Sequence, residues 1–145
     1  MPLSDTIKTL IRNAWDDGYP CLLATSGREG PNITPKGSMI VFDDAHLAYW
    51  ERSKRAVLDN LSHDQRVCVM YANFKAQRDG VLESGFLRFF GSVVLHESGP
   101  VREAIFSSQF LQELNFFFVS QKHEFCVNYS LDFLSTLASI LVITM

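Results

Sequence analysis

The chain has 145 residues, a formal net charge of −3 and a hydrophobic fraction of 47%, with twelve Phe. That is enough for one domain, 1–145, with a buried core, and too apolar for a disordered chain. The acidic balance argues against a nucleic-acid surface, which needs a net basic face.

The first residues, MPLSDTIKTLIRNAWDDG, are amphipathic and mixed in charge, without the uninterrupted apolar core of a secretory signal. Ser4 suits an N-cap. Ile7, Leu10, Ile11, Ala14 and Trp15 then fall at helical spacing and make one apolar face, with Trp15 expected as a core anchor. Gly18 is placed to stop the helix. Tyr19 to Thr25 reads as a first strand with a buried run from Cys21 to Ala24. Ser26-Gly27-Arg28-Glu29-Gly30 follows as a hairpin turn.

The stretch Gly30 to Leu61, GPNITPKGSMIVFDDAHLAYWERSKRAVLDNL, reads as two strands, a tight acidic turn and a loop that opens a helix. Ile33, Met39, Val41 and Phe42 suit a pleated surface, and Asp43-Asp44 supplies turn chemistry. Pro31 and Pro35 remove ladder donors, so their strand is an edge strand or is bulged. His46 to Trp50 is the return strand. Beyond it, Arg52, Ser53, Lys54 and Arg55 gather three cations and a hydroxyl beside an expected helix N-terminus. Free N–H groups and the helix dipole make that a phosphate cradle, with Lys36 and Ser38 approaching from the side. The competing reading is plain: a solvated basic face in which Ser53 is only a cap.

Lys54 to Ser62 reads as a short helix with Ala56, Val57, Asn60 and Leu61 on one side. Arg66 to Phe74 is apolar on both faces and is expected as a central strand. Lys75 to Ser84 reads as a polar loop. Gly85 to Glu97 is a long strand, and Gly91 in its middle marks a bend or bulge. Pro100 suits the first turn of a helix running to about Phe116. Leu131 to Met145 is nearly all apolar or small. It is short of the roughly 20 residues of a membrane span, so a buried strand or helix completing the core is expected and no membrane is. Cys21, Cys68 and Cys126 are far apart and form no CxxC pair. They are read as free thiols in a reducing, cytoplasmic setting, with no metal site.

These elements suggest a mainly β (α+β) chain, a small antiparallel split barrel with a few flanking helices. The residues GPNITPKGSMIVFDDAHLAYWERSKRAVLDNL, RVCVMYANF and FLRFFGSVVLHESGPVREAIF closely resemble the pyridoxamine 5′-phosphate oxidase-like family of FMN-binding split barrels. The resemblance runs from about the first strand to Phe106. It implies a homodimer with FMN at the subunit interface. It also implies a flavin ring along Lys36, Gly37, Ser38 and Met39, and a phosphate gripped near Ser53 and Lys54 with Arg52 or Arg55 assisting. The chain departs from the family in having Asp64-Gln65 where a Pro is usual, and in an atypical tail, 115–145, that puts the last barrel strand in doubt.

The leading expectation is an FMN-dependent oxidoreductase of a small molecule. A flavin carries the redox step, so no acid–base pair is demanded and catalytic residues stay unassigned. A true pyridoxine-phosphate oxidase would need a second phosphate grip, and no second Arg/Lys cluster stands out. Arg88 in the long strand faces the ligand or pairs across an interface. The rivals are a non-catalytic carrier of FMN or haem, and an interaction protein with an empty groove.

Overall fold

The computed structural model describes residues 2–51, 56–105, 107 and 139–145. Helix α1, Asp5–Asn13, starts where Ser4 accepts a hydrogen bond from the Ile7 N–H at 3.3 Å. Gly18, at φ 78°, closes the turn after it. The Gly18 N–H donates to the Trp15 carbonyl at 3.1 Å and the Tyr19 N–H to Ala14 at 2.8 Å, the paired bonds of a Schellman motif.

Among the described residues, seven antiparallel strands form one sheet. They are β1 Cys21–Gly27, β2 Gly30–Lys36, β3 Ile40–Val41, β4 His46–Glu51, β5 Arg66–Ala72, β6 Phe86–His96 and β7 Ser139–Thr144, in the order β2-β1-β5-β6-β7-β4-β3. Helix α2, Ala56–His63, packs against β1, and α3 is Phe74–Arg78. Residues 100–105 are helical.

The connection from β2 to β3 dictates the shape. These strands are the two edges of the sheet, yet only Gly37, Ser38 and Met39 separate them. Four residue steps span at most about 14 Å, whereas the edges of a flat seven-stranded sheet stand about 29 Å apart. The sheet must therefore curl until its edges face each other, giving a split barrel. The sequence pattern suggests one continuous strand here. The chain breaks it at the crossover, because no single straight strand can serve both edges.

Pro31 and Pro35 do lie on an edge strand, and its register with β1 runs unbroken from Gly27↔Gly30 to Cys21↔Lys36, so there is no bulge. Gly91 sits where β6 changes partners, from β5 through Ser92 to β7 from Ser92 onward. A β-carbon there would lie 2.2 Å from the Thr144 carbonyl oxygen, so the position admits only glycine without local movement. β7 lies between β6 and β4, so the apolar end of the chain does supply an interior strand. The rest of the expected C-terminal helix and tail, 108–138, lies outside the described residues, as does Cys126. Residues Lys75 to Ser84 are not all loop. Asn73 caps α3, accepting from the Ala76 N–H at 2.8 Å while its amide donates to the Tyr71 hydroxyl at 2.8 Å.

The main core lies inside the curl and joins Ile11 of α1 and its C-cap Ala14 with Leu23, Leu47, Tyr49, Val57, Val69, Tyr71, Leu141 and Ile143. A second cluster, Ile40, Ala48, Trp50, Ile105 and Val142, lies on the other face of β4 and β7. Those two strands are thus buried on both sides. The outer face of β2, β1, β5 and β6 is different: Ile33 and Phe90 are each 65% exposed there, with Phe86 also exposed.

Candidate functional site at the strand crossover

The two-residue period of β2 turns Lys36 inward, opposite Cys21 at the start of β1. The same period turns Glu51 inward, in phase with Leu47 and Tyr49 of β4. Both side chains are buried, Lys36 at 8% exposure and Glu51 at 2%. They meet across the seam of the barrel, with Lys36 Nζ 2.7 Å from Glu51 Oε2. Lys36 Nζ also stands 5.0 Å from the centroid of the Tyr49 ring, within cation–π range. Burial, and then the Glu51 carboxylate, push the Tyr49 phenol above its ordinary value, so it stays neutral.

Ser38 makes a second tie to β4. Its hydroxyl donates to the Trp50 carbonyl at 3.1 Å and accepts from the Trp50 N–H at 3.0 Å. These bonds continue the β3–β4 register, in which position 38 stands opposite 50. Met39 is buried in the main core. Gly37 is exposed, and a β-carbon on it would lie 2.8 Å from Cε3 of Trp15.

Trp15 corrects an expectation. Helical spacing places it with Ile11 and Ala14, but it is 53% exposed. It lies beyond Asn13, where α1 ends, inside the Schellman turn, and its ring packs on Gly37 rather than joining the core.

The structure thus brings Lys36, Gly37, Ser38 and Met39 together with the end of β4. Arg52, Ser53, Lys54 and Arg55 lie outside the described residues. In the sequence they stand between Glu51 of β4 and Ala56 of α2. Sequence reasoning missed Glu51 and Tyr49 as partners of Lys36. The alternation of β2 and β4 carried that signal, because it turns a cation and a carboxylate toward one core.

Elsewhere the chemistry is structural. Asn60 of α2 donates to the buried Thr25 hydroxyl at 3.0 Å. Asp64 accepts from the Arg66 N–H at 3.0 Å and from its guanidinium at 2.7 Å. Those bonds hold the Asp64 carboxyl at about 2. Burial pushes the free Cys21 thiol up to about 12. Arg88 lies on the outer face of β6, its guanidinium 5.6 and 5.7 Å from the rings of Phe86 and Phe90. Among the described residues there is no group of three metal-ligating side chains, and no helix long and apolar enough to cross a membrane.

A family model described as pyridoxamine 5′-phosphate oxidase matches residues 6–125. No curated protein matches the chain in sequence. Among solved structures, HupZ of group A Streptococcus is 20% identical with a TM-score of 0.63, over 98% of this chain and 88% of that one. An FMN-binding protein from Syntrophomonas wolfei is 11% identical with a TM-score of 0.53, over 95% and 82%. A FAD-binding protein from Mesorhizobium loti is 15% identical with a TM-score of 0.50, over 100% and 91%. At these identities the likeness is one of fold.

Proposed function

The chain belongs to the pyridoxamine 5′-phosphate oxidase family, and on that premise we propose that it is a cytoplasmic, FMN-binding flavoprotein that oxidises or reduces a small molecule. The observation that carries this reading is the crossover itself. Ser38 and Lys36 are tied to Trp50 and Glu51, so the segment proposed for the flavin ring adjoins the chain that enters the basic residues 52–55. A ring lying on Gly37 and a phosphate held by Ser53 and Lys54, with Arg52 or Arg55 assisting, then belong to one ligand.

The residues present fit such a group in a particular way. Gly37 offers exposed backbone, and the Trp15 ring fills the direction its side chain would take. Lys36 and Ser38 act from beneath, holding that backbone in place, since their polar atoms are engaged within the fold. Met39 anchors the segment in the core. A bound flavin supplies hydride and electron transfer; the chain binds and orients it. One compact basic cluster suits one terminal phosphate, and no GxGxxG fingerprint for a dinucleotide occurs in the sequence.

The same reading includes a homodimer with the ligand at the interface. Its support is the uncovered outer face around Ile33, Phe86 and Phe90.

The test is to release the ligand from purified protein and identify it by mass. FMN is the expected result. Recovery of FAD or haem, or protein that neither carries nor takes up a flavin, would overturn the proposal.

A further inference from the structure

Three of the four crossover residues are turned toward the fold: Lys36 to Glu51, Ser38 to the Trp50 backbone, and Met39 into the core. Gly37 alone is exposed. Anything that reaches its backbone also meets Trp15, whose ring fills the direction a Gly37 side chain would take. The indole is half exposed, yet its backbone is pinned by the Schellman turn, whose Gly18 N–H donates to the Trp15 carbonyl. A large flat ring on a fixed base is held beside the open backbone of the site, at little entropic cost on binding.

We propose that Trp15 is a ligand-contacting residue, stacking on the planar heteroaromatic ring of a flavin that lies against the crossover. The inference rests on the flavin reading above and deepens it. It assigns α1 and its terminal turn a part in the site. It also defines the ligand as a flat aromatic body, rather than a simple phosphate. A residue that merely covers Gly37 needs only apolar bulk, and leucine supplies that. Stacking needs an aromatic ring.

The probe is FMN, titrated into the parent, Trp15→Phe and Trp15→Leu, following flavin and tryptophan fluorescence, with melting of the ligand-free proteins alongside. The parent should bind, with loss of the Trp15 emission that Trp15→Phe lacks. Buried Trp50 supplies the common background. Trp15→Leu should bind roughly tenfold more weakly, the scale of one aromatic stack on a heterocycle. Trp15→Phe should fall between, and all three should melt alike. A parent that binds FMN while Trp15→Leu binds equally well overturns the role of Trp15 and leaves the flavin reading standing. A parent that does not bind FMN overturns both. Should Trp15→Leu fail to fold, quenching in the parent and the affinity of Trp15→Phe decide: no quenching and unchanged affinity contradict the stack.

Discussion

Lys36 on one edge strand and Glu51 next to the other edge form a buried ion pair, 2.7 Å from Nζ to Oε2, across the seam of the barrel. No backbone ladder joins β2 to β4, so side chains close the split there. Removing one member leaves a charge in the interior without this partner. Lys36→Met should therefore cost about 3–5 kcal/mol, whereas Lys36→Met with Glu51→Leu should be less destabilised than either single change. Urea unfolding of the three variants measures this. A loss below about 1 kcal/mol for Lys36→Met would show that water or another group solvates Glu51.

A second site of close approach lies where β6 exchanges β5 for β7. Gly91→Ala would put a methyl 2.2 Å from the Thr144 carbonyl oxygen, and backbone cannot swing aside as a side chain can. The strands must separate locally, at about 1–3 kcal/mol. Thermal unfolding reads the loss, and an unchanged melting temperature would mean that β7 does not press on β6 as described.

The positions of these glycines were legible in the sequence; their reasons were not. Gly91 announces a bend, but only the register shows that it marks a change of partner. The apolar run at the end of the chain pointed to a core element, and six of its residues became β7. Three readings failed on local physics. Trp15 fits the helical face by spacing but lies past the helix end, in a turn. Asn73 makes a short helix out of a polar stretch by capping it. The apparent strand through Ile33 and Phe42 is cut because a closing sheet must carry the chain from one edge to the other. At the crossover, Lys36 and Ser38 were legible as chemistry-bearing residues. The burial of Lys36 against Glu51 depends on the curl, a long-range property.

Asp64 makes the stability respond to acid. Hydrogen bonds from Arg66 hold its carboxyl at about 2, below the ordinary 3.8. The folded chain therefore binds this proton less readily than the unfolded chain does. The contribution is fully present above 3.8 and is lost as the pH falls toward about 2. Asp64→Asn should remove this part of the acid limb, so that the stability curves of parent and variant separate above 3.8 and approach each other toward the lower value. Parallel curves across that window would contradict the assignment.

For the proposed dimer, the outer face of β1, β2, β5 and β6 is the surface to perturb. Phe90 is exposed there beside Phe86 and Arg88. Phe90→Glu should convert dimer to monomer in light scattering at micromolar concentration, with little change in the monomer fold, because no core contact is lost. A parent that is monomeric with FMN bound would rule out an interface site.

In the proposed function one ligand spans the crossover and the basic residues after β4. The most direct measurement compares FMN with riboflavin, which lacks the phosphate, on the parent and on Lys54→Ala and Ser53→Ala. A charged hydrogen bond contributes about 1.5–3 kcal/mol, or roughly ten- to a hundredfold in affinity. The parent should prefer FMN by at least that factor, and Lys54→Ala should lose most of the preference while binding riboflavin as before. Ser53→Ala should lose less. Equal affinity of the parent for FMN and riboflavin, or an undiminished preference in Lys54→Ala, would contradict the claim.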